Sequence, residues 1–199
     1  MITVDLLRHG ELEGGVKYRG RVDDPLTVAG RGAMDGVWTE VKPEIDLIIS
    51  SPLSRCYIPA TEWAKEAGIE SVSDERIAEM HYGDWEGLTT DEIMARYPGV
   101  LEKWRADPES VQVPNGESVL QLQDRIAAFW SDMCEAHDGK HLLLVAHSGS
   151  LRMLIAHILN APIIATRHMQ MPYACWSRAA HDHDNSQLLF HNRNLNQCV

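Results

Sequence analysis

An arginine and a histidine stand side by side at Arg8-His9, followed by Gly10 and Glu11, directly after an apolar run of Ile2, Val4, Leu6 and Leu7. A second arginine, Arg55, follows Ser50-Ser51-Pro52-Leu53-Ser54, and a second histidine, His147, follows Leu142-Leu143-Leu144-Val145-Ala146. Glu79 lies in Ile77–Gly87, a segment dense in functional residue types. Two guanidiniums offer planar donor forks suited to phosphate oxygens. Two imidazoles and one carboxyl group can then supply a nucleophile and a proton carrier. No Ser or Cys sits on a nucleophile elbow and the P-loop pattern is absent, so phosphoryl transfer without a metal is the economical chemistry. Singly, each residue has an ordinary explanation: a strand ending in a polar turn, a solvated helix residue, a capping histidine. Their joint meaning depends on whether the chain brings them together.

The elements that would do so can be read from periodicity. The run from Ile2 to Leu7 alternates with Thr3 and Asp5 and reads as a first buried strand. Gly10 is expected to let the chain turn sharply at its end. Thr27 is the N-cap of a helix through Met34 and Trp38 toward Val41. Asp46–Ser51 reads as a second strand, and Pro52-Leu53 opens a helix whose first turn carries Arg55; Pro59 is expected to kink or break that helix. Glu70–Ser73 reads as an edge strand. Ile77–Gly87 lacks either period and reads as a binding loop. Thr89–Glu92 is a capping box for a helix toward Tyr97, and Val100 to Trp104 continues helically. Glu117-Ser118 caps a long amphipathic helix with Leu122, Ile126, Phe129, Trp130 and Met133 on its apolar stripe, ended by Gly139. Leu142–Ala146 is a central parallel strand, delivering His147-Ser148-Gly149-Ser150 to a helix start where free N–H groups favour an anion. Tyr173–Ala180 and Gln187–His191 read as two strands around the turn His181-Asp182-His183-Asp184-Asn185. Three strand ends thus carry Arg8-His9, Arg55 and His147 to one edge of a parallel sheet, where ligands collect.

Composition narrows the partners. With 199 residues and 44% hydrophobic content, the chain is expected to form one domain over 1–199, with a lid-like excursion at about 87–116. No apolar run reaches the roughly 18 residues of a membrane span, and no basic segment precedes an apolar one at the N-terminus, so neither a membrane nor a secretion signal is expected. Cys56, Cys134, Cys175 and Cys198 are scattered without disulfide or C-x-x-C spacing, which fits a reducing cytoplasm. The net charge of −11 argues against nucleic acid and requires that an anionic substrate be drawn by cations inside a cleft. The Gly-rich loop Glu13–Arg21 can approach such an anion with both backbone and side chain. The His181–Asn185 turn has metal-ligand residue types, but adjacent residues on a tip rarely converge on one ion. No metal or other cofactor is expected.

Leu7-Arg8-His9-Gly10-Glu11, Asp24-Pro25-Leu26-Thr27 with Gly30, Ser50–Arg55, Glu79…Tyr82-Gly83…Trp85-Glu86-Gly87, Gly116-Glu117-Ser118 and Val145–Gly149 occur in an order that resembles the histidine phosphatase (phosphoglycerate mutase-like) superfamily. The likeness runs from Thr3 to about Leu154. It implies an α/β fold: a three-layer α/β/α sandwich with a mostly parallel central sheet and helices on both faces. It also implies that His9 attacks phosphorus, that Arg8, Arg55 and His147 surround the phosphoryl group, and that Glu79 protonates the leaving oxygen and then activates water. Arg19, Gly20, Arg21, Tyr82 and Ser148 are candidates for contact with the rest of a small phosphorylated substrate. Leu12 and Gly15 stand where the family usually has Ser or Thr and Asn, and Pro59 stands where it usually has Thr; Arg19, Arg21 and the glycine backbone are the candidate substitutes. The loop Glu13–Thr27 and the strand Cys175–Arg178 look most like the α-ribazole-5′-phosphate phosphatase branch of cobalamin assembly. The alternatives are a broad sugar-phosphate or nucleotide phosphatase, a phosphoglycerate mutase, or a phosphoprotein-binding module on the same fold. A homodimer is the candidate assembly.

Overall fold

Leu142–Val145 is apolar without interruption because both faces of its strand are covered. In the computed structural model, which describes residues 1–183, 185–193 and 195, this run forms β4 (His141–Ala146). It lies between β1 (Ile2–Arg8) and β2 (Leu47–Ser50) in a six-stranded sheet. Edge strand β3 (Glu70–Ser73) flanks β2, and β5 (Trp176–Asp182) and β6 (Asn185–Arg193) extend the sheet beyond β1. The strands β1 to β4 are parallel, whereas β5 runs antiparallel to β1 and pairs with β6 as a hairpin.

Side-chain alternation sorts these strands between two cores. Val4, Leu6, Ile49 and Leu144 pack with Leu122, Ile126 and Phe129 of α5 (Val119–Ala136) and with α6 (Ser148–Ile158). Leu7, Ile48, Leu143 and Val145 pack with Met34 and Trp38 of α1 (Val28–Val41) and with Ala60 and Trp63 of α2 (Ser54–Ala67). Two helix layers therefore enclose a mostly parallel sheet, the three-layer α/β/α sandwich expected. Between α2 and α5 the chain carries two short helices, α3 (Thr90–Arg96) and α4 (Val100–Ala106).

The connections leave β1 and β4 in opposite directions. The chain from β1 passes through α1 to β2, beyond β4; the chain from β4 passes through α6 to β5, beyond β1. Such a switch point opens a crevice at the carboxyl ends of the two strands.

Three local expectations change. Pro52 precedes α2 instead of opening it; Leu53 is the N-cap, and the N–H of Ser54 donates to Asp23 Oδ2 at 2.6 Å. Pro59 does not break α2, which runs on to Ala67 because the proline is buried on the face that packs against the second core. Gly10 lies outside the left-handed region. It is needed instead because a Cβ there would stand 2.0 Å from the carbonyl oxygen of Gly30, so β1's exit packs backbone to backbone on α1.

One buried charge locks the sheet. Asp5, fully buried in β1, accepts from Trp176 Nε1 at 2.6 Å, Arg178 Nε at 2.9 Å and His141 Nε2 at 2.8 Å. Burial alone would push its pKa up, but bonds from His141, Arg178 and Trp176 outweigh this and hold the carboxyl below the ordinary aspartate value. A depressed folded-state pKa adds stability above the unfolded value near 3.9, lost as pH falls through the folded one. Asp5→Asn is expected to cost about 3 kcal/mol at neutral pH in urea unfolding, the gap to the parent shrinking below about pH 4; an equal midpoint at neutral pH would show that the cluster adds nothing.

Candidate active site

Strand register lines up the functional residues. Arg8 lies opposite Ala146 and Ser50 opposite Val145. One step further, the N–H of His9 donates to the Ala146 carbonyl at 3.0 Å and that of Ser51 to the Val145 carbonyl at 2.9 Å. His9, Ser51 and His147 therefore leave the sheet side by side.

His9 is 5% exposed. Its Nδ1 donates to the Gly10 carbonyl at 2.8 Å, so the neutral ring carries its free lone pair on Nε2. Burial, then the guanidiniums of Arg8 and Arg55, hold this imidazole well below the ordinary histidine pKa. Arg8 donates from Nη1 to the Met171 carbonyl at 2.5 Å and lies over the Tyr173 ring at 4.1 Å, while the Tyr173 and His9 rings are 5.8 Å apart.

Arg55, 2% exposed, is held on three sides. Nη1 donates to the Val22 carbonyl at 2.8 Å and to Asp23 Oδ1 at 3.2 Å, Nη2 to the Gly20 carbonyl at 2.8 Å, and Nε to His147 Nδ1 at 3.3 Å. A guanidinium has five N–H donors; these bonds leave one over, on Nη2, and Arg55 is among the residues that line the cavity described below. His147 accepts from Arg55 on Nδ1 and donates from Nε2 to Ser51 Oγ at 2.7 Å. Its ring lies 5.2 Å from that of His9. Burial, then Arg55, then His9 hold it well below the ordinary value too.

Glu79, 8% exposed, points its carboxylate at the start of α6. Oε2 accepts from the Gly149 N–H at 3.0 Å, and Oε1 accepts from those of Ser150 at 3.2 Å and Met80 at 2.9 Å. The helix N-terminus expected to favour a substrate anion thus holds the protein's own carboxylate. Gly149 permits it, since a Cβ there would stand 2.4 Å from Glu79 Oε1.

These groups meet at a cavity of about 460 Å³. Arg8, His9, Arg55 and Glu79 line it, as do Arg19, Gly20, Tyr82 and Ser148. His147 is fully buried behind this lining, and Arg21 turns away to pair with Glu75 at 3.2 Å. Arg19 is itself tied to Asp24 at 2.8 Å. Thr90, Trp104, Arg105 and Pro108 bring the 87–116 excursion onto the cavity wall. At the end of β5, Asp182 pairs with the N-terminal amine at 3.5 Å and His181 Nδ1 lies 2.8 Å from Ser186 Oγ, so these two residues of the expected turn belong to the strand; Asp184, like Cys198, lies outside the described residues.

Several contributors had no local signal in the sequence. Arg125 on α5 donates to the carbonyls of Ala78 and Glu79 at 2.8 and 3.2 Å while pairing with Glu117 at 2.6 Å, and so anchors the backbone that carries the acid. Glu86 accepts from the N–H groups of Arg21, Val22 and Tyr82 at 2.9, 3.0 and 3.1 Å, stapling the loop around Arg55 to the Glu79 segment. Tyr173 and Arg152 line the cavity. Glu86 and Glu117 lay in recognised motifs; Arg125, Tyr173 and Arg152 did not.

Residues 4–194 match the sequence profile of the histidine phosphatase superfamily (branch 1). The chain belongs to this superfamily. The match extends well past Leu154, where the motif likeness faded. Among relatives, phosphoserine phosphatase 1 of Hydrogenobacter thermophilus is 29% identical over 82% of this chain and 79% of its own. A protein of Escherichia fergusonii named "Probable phosphoglycerate mutase GpmB" is 32% identical over 95% and 88%. The crystal structure of the alpha-ribazole phosphatase from Shigella flexneri superposes with a TM-score of 0.87 at 25% identity, covering 96% of each chain.

In this member of the superfamily the two depressed imidazoles have a measurable consequence. Both rings should keep neutral-state ¹⁵N shifts as the pH is lowered through the ordinary imidazole value near 6.5. The unfolded chain takes up protons there that the folded one does not, so stability should fall as pH drops through that value. His147→Gln removes one such group and should flatten the slope of urea midpoint against pH; a ring that titrates at the ordinary value would contradict the burial described.

Proposed function

We propose that this chain is a phosphomonoester hydrolase working through a phosphohistidine at His9. The observation that carries the reading is a neutral imidazole with Nε2 unprotonated, beside Arg8 and Arg55 and opening on a cavity that Glu79 also lines. In the first step the Nε2–P bond forms as the ester P–O bond breaks, and Glu79 gives a proton to the leaving oxygen. The three N–H groups on Glu79 suit a carboxylate, so the proton arrives with a monoanionic ester, since two negative charges in one site share a proton. In the second step water attacks phosphorus, Glu79 takes its proton, and the N–P bond breaks.

Arg8 and the remaining Nη2 N–H of Arg55 serve the equatorial oxygens, where each lost donor typically costs roughly 3 kcal/mol. His147 holds Arg55 by Nε, and bonding the phosphoryl group directly would require its ring to release Arg55 or Ser51. We read the 87–116 excursion as a lid over the cavity. Cys56, Cys134 and Cys175 are buried free thiols, which suits a reducing, cytoplasmic setting.

On the leaving group, the motif likeness makes α-ribazole 5′-phosphate one candidate, with sugar phosphates and nucleotides beside it. The likeness to a mutase supports phosphoryl return to a second hydroxyl as a rival outcome.

His9→Ala is expected to abolish turnover while inorganic phosphate still binds; turnover near the parent rate would remove His9 from the mechanism. Glu79→Gln should let labelled phosphoenzyme accumulate from an activated aryl phosphate, and a trap that stays empty would count against the acid–base role. A panel including α-ribazole phosphate and 2,3-bisphosphoglycerate should lose no activity in EDTA.

A further inference from the structure

The two arginines assigned to the phosphoryl group are held in different ways. Arg55 is fixed by hydrogen bonds to Gly20, Val22, Asp23 and His147. Among the described residues, Arg8 makes one side-chain hydrogen bond, from Nη1 to the Met171 carbonyl at 2.5 Å. A long side chain tied at one corner keeps much of its rotamer freedom. The remaining hold on Arg8 is the Tyr173 ring, whose centroid lies 4.1 Å from the guanidinium carbon. At that distance the ring quadrupole attracts the cation across its face.

Tyr173 stands in a turn whose backbone is strained. Ala174 has a φ of 52°, in the left-handed region that a residue with a Cβ seldom adopts. Its N–H donates to the His9 carbonyl at 3.1 Å, and the Cys175 carbonyl accepts from the Arg8 N–H at 3.0 Å. The Cys175 N–H closes the turn on the Pro172 carbonyl at 3.1 Å. Met171 and Cys175 are buried in one core, and Ala174 packs against the other. Strain of this kind persists where the surroundings over-determine it, and it gathers at sites that aim a side chain. The side chain aimed here is that of Tyr173, which lines the cavity with its ring 5.8 Å from that of His9.

We propose that Tyr173 is a positioning residue, whose ring face fixes the Arg8 guanidinium beside His9 before the phosphoryl group arrives. This rests on the hydrolase reading above. The face of the ring does it and the hydroxyl does not, because the negative pole of the quadrupole lies on the face. A donor already in place needs no ordering when the anion binds, so the ring acts on phosphate affinity and on the transition state through Arg8.

The test measures calorimetric Kd for inorganic phosphate and kcat/KM for 4-nitrophenyl phosphate in the parent, Tyr173→Phe and Tyr173→Leu. Tyr173→Phe keeps the face and should stay within about twofold of the parent in both. Tyr173→Leu should weaken phosphate and lower kcat/KM by about threefold to thirtyfold, the span of a cation–π contact. In an Arg8→Met background the same Tyr173→Leu change should alter kcat/KM by less than about twofold, because residues acting as one unit are not additive. A loss through general damage to the fold would persist in that background. Kd is indifferent to the fraction of protein correctly folded, and Tyr173→Met takes the place of Tyr173→Leu where the latter does not fold. Phosphate affinity kept in Tyr173→Leu, or an undiminished effect in the Arg8→Met background, would overturn the assignment. So would Tyr173→Phe falling as far as Tyr173→Leu, which would pass the role to the hydroxyl. If the Kd pattern appears but no monoester is hydrolysed, the hydrolase reading fails and the positioning of Arg8 stands.

Discussion

A guanidinium removed from water must have its N–H groups met, and the way Arg55 meets this demand organises the site. The carbonyls of Gly20 and Val22, the Asp23 carboxylate and the His147 ring all serve it. One side chain thereby ties the end of β2 to the end of β4 and to the loop after β1. Asp23 also caps α2, so the acceptor of one Arg55 N–H starts the helix that carries Arg55. The same buried charge disfavours protonation of the two imidazoles beside it, which leaves a nitrogen of His9 unprotonated.

The second organising contact is that between Glu79 and α6. A carboxylate on an irregular segment is fixed by two N–H groups that a helix start necessarily leaves unpaired. Arg125 holds the backbone behind it, and Glu86 joins that segment to the loop that serves Arg55. The acid and the cations are thus positioned by one connected set of hydrogen bonds. The global charge of the chain repels anions, so attraction has to be local; the cations gathered in the cavity provide it, with low-dielectric walls to concentrate their field.

Much of this was legible from residue order. Alternation in β1, the unbroken apolar run of β4, the Thr27 and Ser118 caps and the Thr89 capping box are local signals, and the structure carries them out. Pro59 misled because the cost of one lost helix bond is visible in sequence while the packing that offsets it is not. Gly10 was singled out for a turn, whereas its lack of a side chain serves a contact with Gly30 that only the packed α1 creates.

The sequence by itself determined the strand ends that carry Arg8, His9 and His147, which follow from periodicity, and the superfamily with the layer architecture it implies, which follow from motifs contiguous in the chain. Only the tertiary structure decided which groups touch. Glu79 takes the helix start, His147 stands behind the cavity lining, and Arg21 leaves it. These outcomes depend on distances between residues far apart in the chain, and no local pattern encodes such distances.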